Sequence, residues 1–147
     1  MATTQFELVT PTSTLFSGYA EMIVCRTVDG EIAFLANHMP YIGALDPGLV
    51  RIVAPQADAG EAAAGPDIRL AVQGGFVEVS DNRVIMLADR AELGPDIDVE
   101  AARRDEAEAQ QQATTAGNED LAAQADAEKA LRWAQARLEA ATGVEIH

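Results

Sequence analysis

Apolar and polar residues alternate through most of the N-terminal part of the chain, the period of strands that bury one face. Phe6–Thr10 alternates cleanly, Pro11-Thr12-Ser13 turns it, and Leu15-Phe16-Ser17-Gly18 predicts a short second strand ending in glycine. Glu21–Val28 and Glu31–Leu35 read as a hairpin joined at Asp29-Gly30, a two-residue turn signal. The loop Ala36–Pro40 follows and carries His38. Tyr41–Leu45 leads to Asp46-Pro47-Gly48, placed for a type II turn before the strand Leu49–Ala54. Arg69–Ala91 predicts three further strands, Arg69–Gln73, Phe76–Val79 and Val84–Ala88. Gly74-Gly75 parts the first two as a bulge or tight bend, and Ser80-Asp81-Asn82 supplies turn chemistry before the third. Strands at this spacing predict an all-β sandwich or barrel. Pro55–Asp67, which holds no large apolar residue, predicts a long hairpin loop within it.

After Gly94-Pro95 the period changes, and alanine and charge replace the β-branched runs. Asp98 can cap a helix, with Asp96 and Glu100 adding favourable charge at its start. Ala102, Ala109, Ala113 and Ala116 share a face, and Gly117-Asn118 ends that helix and can cap the next. Ala123, Ala127, Leu131, Ala134, Leu138 and Ala141 line a second helix, which Gly143 stops. The chain thus divides at residue 95 into a β-module, 1–95, and an antiparallel two-helix hairpin, 96–147. Large apolar residues in the hairpin are few (Val99, Leu121, Leu131, Trp133, Leu138), so it is expected to dock marginally.

Composition narrows the function. The net charge of −14 argues against nucleic acid or an anionic membrane as a direct partner. The acidity is spread evenly: residues 96–147 hold twelve acids and five bases, leaving the same numbers for residues 1–95. Cys25, the single cysteine, sits in an apolar run as a buried small hydrophobe and excludes an internal disulfide. No apolar run reaches the ~18 residues that cross a bilayer, and the N-terminus lacks the marks of a signal peptide, so a soluble cytosolic chain is expected. Phosphate loops, dinucleotide fingerprints, zinc-protease motifs and nucleophile elbows are missing, and two histidines cannot build a metal site. No catalytic residue, metal or cofactor is expected.

Six segments then carry a family resemblance. Phe16-Ser17-Gly18, the G-E-I of Gly30–Ile32, the H-x-P of His38–Pro40, P-G-L-V-R-I from Pro47, G-G-F-V-E-V (Gly74–Val79) and L-A-D-R-A (Leu87–Ala91) resemble, in order and spacing, the epsilon subunit of bacterial rotary ATP synthases. The resemblance covers about Phe6 to Ala102. It implies a flattened β-sandwich of about ten strands followed by a helical hairpin. It further implies a non-catalytic rotor subunit on the central stalk, between the gamma subunit and the c-ring. Such a protein is peripheral at the cytoplasmic face of the cell membrane and meets the membrane only through the complex. Glu31, with His38, Met39, Pro40 and Tyr41, would face the c-ring. In nucleotide-binding members the first helix opens I/L-D-x-x-R-A. Here Ile97, Asp98 and Ala102 match while Ala101 takes the arginine position, so ATP binding is expected to be weak or absent. The family hairpin can also reach along gamma and transiently touch the catalytic alpha/beta head, restraining hydrolysis. Lys129, Arg132 and Arg137 form a basic stripe on the second helix, but the net acidity argues that this contact gains little. The other reading is a free-standing β-sandwich module that binds a small ligand or a protein.

Overall fold

The computed structural model describes residues 2–56, 67–116 and 120–143. Among these residues, eight strands are followed by a single 3-10 turn at Gly94–Asp96 and two helices. They are β1 (Thr4–Val9), β2 (Thr14–Ala20), β3 (Met22–Thr27), β4 (Gly30–Leu35), β5 (Tyr41–Leu45), β6 (Gly48–Val53), β7 (Ile68–Ser80) and β8 (Arg83–Leu93). Helix α1 spans Val99–Ala116 and α2 spans Leu121–Thr142.

The long strands β7 and β8 create two layers out of one hydrogen-bonded path. Ile68–Val72 of β7 pairs with β6, whereas Gly75–Val79 pairs with β5. The first layer is therefore β2-β1-β8-β7-β5, built on the Phe76–Ser80 half of β7, with β1 parallel to β8. The second is β4-β3-β6-β7-β8, built on the other half. Register shifts at Val72/Gly74 and Gly74/Gly75 mark the corner. Gly75 stands there at φ +133°, and a Cβ would run into the Leu87 carbonyl and come within 2.9 Å of Ala88 Cα. No L side chain fits that corner. Phe6, Leu8, Ile23, Cys25, Phe34, Val50, Ile52, Leu70, Val77 and Met86 fill the space between the layers, all fully buried or nearly so.

Three sequence expectations change here. The three strands of Arg69–Ala91 are two, because Gly74-Gly75 bends β7 without ending it and β8 runs on to Leu93. Counting each bent strand once gives eight; counting its halves in separate layers gives the expected ten. Asp46-Pro47-Gly48 does not reverse the chain: β5 and β6 both run antiparallel to β7, so this segment is a kink at the same corner. At the β3–β4 hairpin, Thr27 pairs with Gly30, making Val28-Asp29 the loop and Gly30 the first strand residue at φ +120°. The Ser80–Arg83 turn is as expected, with Asp81 and Asn82 both left-handed. The loop expected at Pro55–Asp67 lies, for residues 57–66, outside the described residues.

The helices form a third and fourth layer. Asp98 caps α1, its Oδ1 accepting the Ala101 N–H at 3.1 Å. Asp120 caps α2 through the Ala123 N–H at 3.0 Å, a duty the sequence had offered to Asn118; Gly117 and Asn118 lie outside the described residues, as does the Ala116 side chain. Gly143 ends α2 in the left-handed conformation at φ +74°. α2 lies between α1 and the β6–β7 face, while α1 packs chiefly on α2. The α2 face expected from spacing is buried at Ala127, Ala134 and Leu138, although Ala123 is exposed. Contact with the sheet adds a second buried face, Trp133, Ala136, Arg137 and Ala140. The joining cluster is Ala71, Ile97, Ala102, Trp133, Ala136, Leu138 and Ala140. With four alanines among its members, it keeps the apolar contribution of docking small.

Candidate functional site

Reactive chemistry is absent from the one thiol. Burial, and secondarily the negative charge of Glu31, push the Cys25 thiol up to about 12, so it stays protonated and inert. Among the described residues no cluster of His, Cys, Asp and Glu could hold a metal ion, and no helix is long and apolar enough to cross a membrane. What the molecule offers instead is surface.

The loop after β4 is held from three sides. Asn37 turns it at φ +61°, donating its N–H to Asn82 Oδ1 at 2.8 Å, and Asn82 Nδ2 in turn donates to the Thr3 carbonyl at 3.1 Å. His38 stands edge-on to Phe34, with ring centroids 5.0 Å apart, and its Nδ1 lies 2.7 Å from the Met39 carbonyl. Tyr41 packs inward against Phe34 at 5.6 Å, whereas Met39 and Pro40 are exposed. Glu31 is exposed at the other end of β4, opposite Arg26. Four residue steps along the strand separate Glu31 from Leu35, about 13 Å at the usual rise. The structure thus does not bring Glu31 together with His38–Tyr41. A partner touching both must lie along β4, which is the edge strand of its layer.

The outer face of the first layer carries an apolar stripe that the sequence reading did not single out. Ala44 pairs with Phe76, Phe76 with Leu87, and Leu87 with Val9, placing the four across β5, β7, β8 and β1 on one face. Ile42 and Ile85 flank them two residues along their strands. Ile42 is 76 % exposed, Phe76 62 % and Leu87 56 %. Glu78 and the Arg83–Glu7 ion pair, 3.3 Å, rim the stripe. The signal was available in the alternation, since Val77 and Val79 point inward and so force Phe76 outward.

On the opposite layer α2 is locked to the sandwich by Arg137. This residue, 7 % exposed, donates Nε to Glu92 Oε1 on β8 and an Nη to Asp105 Oδ2 on α1, both at 2.9 Å. Trp133 is shared by two cations, Arg90 at 5.3 Å and Arg137 at 5.9 Å from its ring centroid. Arg132 pairs with Asp46 at 3.4 Å. The expected basic stripe of Lys129, Arg132 and Arg137 is therefore not a surface feature of the docked hairpin, because Arg137 points into the interface. Each residue matched to the nucleotide motif has a structural duty: Ile97 and Ala102 are buried in the joining cluster, and Asp98 caps α1.

Comparison with known proteins now decides the family. Residues 3–94 match the model described as the ATP synthase Delta/Epsilon chain, beta-sandwich domain. The chain belongs to the ATP synthase epsilon family. It is 37 % identical over 142 residues to the ATP synthase epsilon chain of Halalkalibacterium halodurans, covering 96 % of this chain and 98 % of the relative. To that of Synechococcus sp. it is 35 % identical over 138 residues, 93 % and 94 % of the two chains. A solved chain from the Euglena gracilis mitochondrial ATP synthase, an assembly described as OSCP/F1/c-ring, superposes with a TM-score of 0.73 at 25 % identity. That match covers 96 % of this chain and 82 % of the other.

The glycine that ends the Phe16-Ser17-Gly18 segment has a physical reason in this chain. Tyr19 and Gln56 exchange backbone hydrogen bonds of 2.8 and 2.7 Å, closing the open side of the sandwich, and a Cβ on Gly18 would lie 2.5 Å from the Gln56 carbonyl oxygen.

Proposed function

We propose that this epsilon-family chain is a non-catalytic rotor subunit of a proton-translocating ATP synthase, coupling c-ring rotation to the catalytic head through gamma. One observation carries the reading: a tightly packed sandwich leaves Ile42, and Phe76 and Leu87 of the stripe Ala44–Phe76–Leu87–Val9, exposed to solvent. A monomer gains nothing from that face, whereas a torque-bearing partner gains a broad apolar grip. Gamma is the partner assigned to it. The c-ring is assigned to the β4 edge, with Glu31 at one end and His38, Met39, Pro40 and Tyr41 at the other. This places the protein peripherally on the cytoplasmic face of the membrane, attached through the complex alone.

Residues 1–95 form the gripping module and 96–147 the regulatory one. The hairpin restrains hydrolysis weakly when it reaches the alpha/beta head, because its twelve acids oppose that contact. Nucleotide binding at Ile97, Asp98 and Ala102 is weak or absent, since the motif arginine is Ala101 and the Asp98 carboxylate is engaged as a helix cap. The test is a Phe76→Asp, Leu87→Asp double variant reconstituted with the remaining subunits. It should keep its fold, as read by circular dichroism and Trp133 emission, while losing co-purification with gamma. Normal assembly and coupling in that variant would overturn the reading.

A further inference from the structure

A cavity of about 380 Å³ opens between α2 and the second layer of the sandwich, lined by Val24, Arg26, Glu31, Arg51, Arg132 and Glu139 among others. It lies on the opposite side of α2 from Ala134 and α1, and takes walls from β3, β4, β6 and the helix. Three of the ten basic side chains of a chain with net charge −14 converge on it.

The arginines are held in place yet under-used. Asp46 holds the end of Arg132 at 3.4 Å, and Asp67 stands 3.8 Å from Arg51 Nε, beyond hydrogen-bond reach. The Nε atoms of Arg51 and Arg132 are buried and have no acceptor among the described residues. Among the described residues no carboxylate is ion-paired with Arg26, which packs across Gly48. Arg51 also sits directly opposite Arg69 on β7, a like-charge cross-strand pair that the sheet alone would disfavour. The Arg26 guanidinium, without an ion pair among the described residues and close to the like-charged Arg51–Arg69 pair, calls for an oxyanion, and its planar fork matches phosphate. Glu31 and Glu139 on the same lining disfavour a bare polyanion, and the exposed Glu31 can accept hydroxyl donors. The volume fits a small ligand.

We propose that this cavity binds a small phosphorylated polyol, of the sugar-phosphate class, with its phosphate on Arg26, Arg51 and Arg132 and its hydroxyls toward Glu31. Because the walls come from both the sandwich and α2, the ligand binds the docked hairpin and stabilises it with the logarithm of its free concentration relative to Kd. The proposal does not depend on the rotor assignment, and its test uses the isolated full chain.

Ribose 5-phosphate titrated by calorimetry should bind saturably with a dissociation constant below about 1 mM. Arg26→Gln and Arg132→Gln should each weaken binding by about tenfold or more, the effect of losing a charge-assisted donor. Arg103→Gln, on the exposed face of α1, should leave it unchanged. Unaltered Trp133 emission in the Arg26 variant separates lost binding from lost docking. Ribose and inorganic phosphate should each bind about tenfold more weakly than ribose 5-phosphate. Absence of saturable binding, or equal affinity in the Arg26 variant, would overturn the site. Equal affinity for inorganic phosphate would overturn the polyol assignment and leave an adventitious ion only.

Discussion

Replacing Arg137 with methionine keeps the aliphatic stem and removes the charge that ties α2 to β8 and α1. Breaking a fully buried ion pair costs about 3–5 kcal/mol, because the abandoned partner stays desolvated. That figure is an upper bound here. The Asp105 side chain is 56 % exposed and returns to water at little cost, as exposed pairs contribute about 0–1 kcal/mol. The Glu92 side chain is 23 % exposed and keeps Arg90 at 3.6 Å. Docking should therefore weaken by about 2 kcal/mol, a factor of about 30 in the docking equilibrium.

Trp133 is the only tryptophan and lies in the interface, so its emission reports docking, while hydrogen exchange of the β7 and β8 amides follows the sandwich. In urea the Trp133 transition of Arg137→Met should move to lower concentration, and the sandwich transition should hold. Glu92→Gln should reproduce most of the shift and Asp105→Asn little of it, following their exposures. An unmoved Trp133 transition would refute the reasoning. So would an Asp105→Asn effect equal to that of Arg137→Met, because exposure would then not be setting the magnitude.

Other outcomes follow from the same geometry. Gly75→Ala should destabilise the sandwich by more than about 1 kcal/mol, visible as a lower thermal midpoint, because the new Cβ meets the Leu87 carbonyl at φ +133°. Cys25 should resist iodoacetamide at pH 8 until the protein is unfolded. Its pKa rises from 9.0 to about 12 on folding, so its contribution to stability is complete below pH 9 and is lost as pH climbs toward 12, measurable as a falling urea midpoint. Truncation after residue 120 should lose the helical signal of α1 as well as α2, since α1 packs chiefly on α2. Retention of α1 helicity in that truncation would show that it is stable alone.

Strand positions, the start of α1 and the end of α2 were legible because local chemistry determines them. Asp81-Asn82, Asp98 and Gly143 act on their own backbones, and each appears where the residue type demands. Bends were not legible. Asp46-Pro47 and Gly74-Gly75 have the composition of chain reversals, and only their shared pairing partners along β7 turn them into corners. Arg137 was unreadable for a similar reason: its partners lie 45 and 32 positions away, so spacing placed it on a surface stripe. The outward aim of Phe76 could be read from its alternation with Val77 and Val79, but the extent of the apolar stripe needed the registers of β7 with β5 and of β8 with β7 and β1.

The two outer faces of the sandwich meet water in different ways, and the difference matches the composition of what could cover them. The second layer turns Arg26, Arg51 and Arg69 outward, and the segment laid across it is α2, rich in alanine and anchored by Arg132 to Asp46 and Arg137 to Glu92. Such a contact draws more on charge and close backbone approach than on buried area. At Gly94, for example, a Cβ would collide with the Ala140 carbonyl. It is the kind of interface that salt weakens and that opens without exposing a large core. The first layer turns Phe76, Leu87 and Ile42 outward, and among the described residues no element crosses it. An alanine helix would cover that face poorly, since it has no side chains to fill the relief of three large apolar groups. The hairpin therefore sits on the layer it suits and leaves the apolar layer free, so undocking the hairpin and gripping a partner are physically independent events on opposite sides of one rigid core.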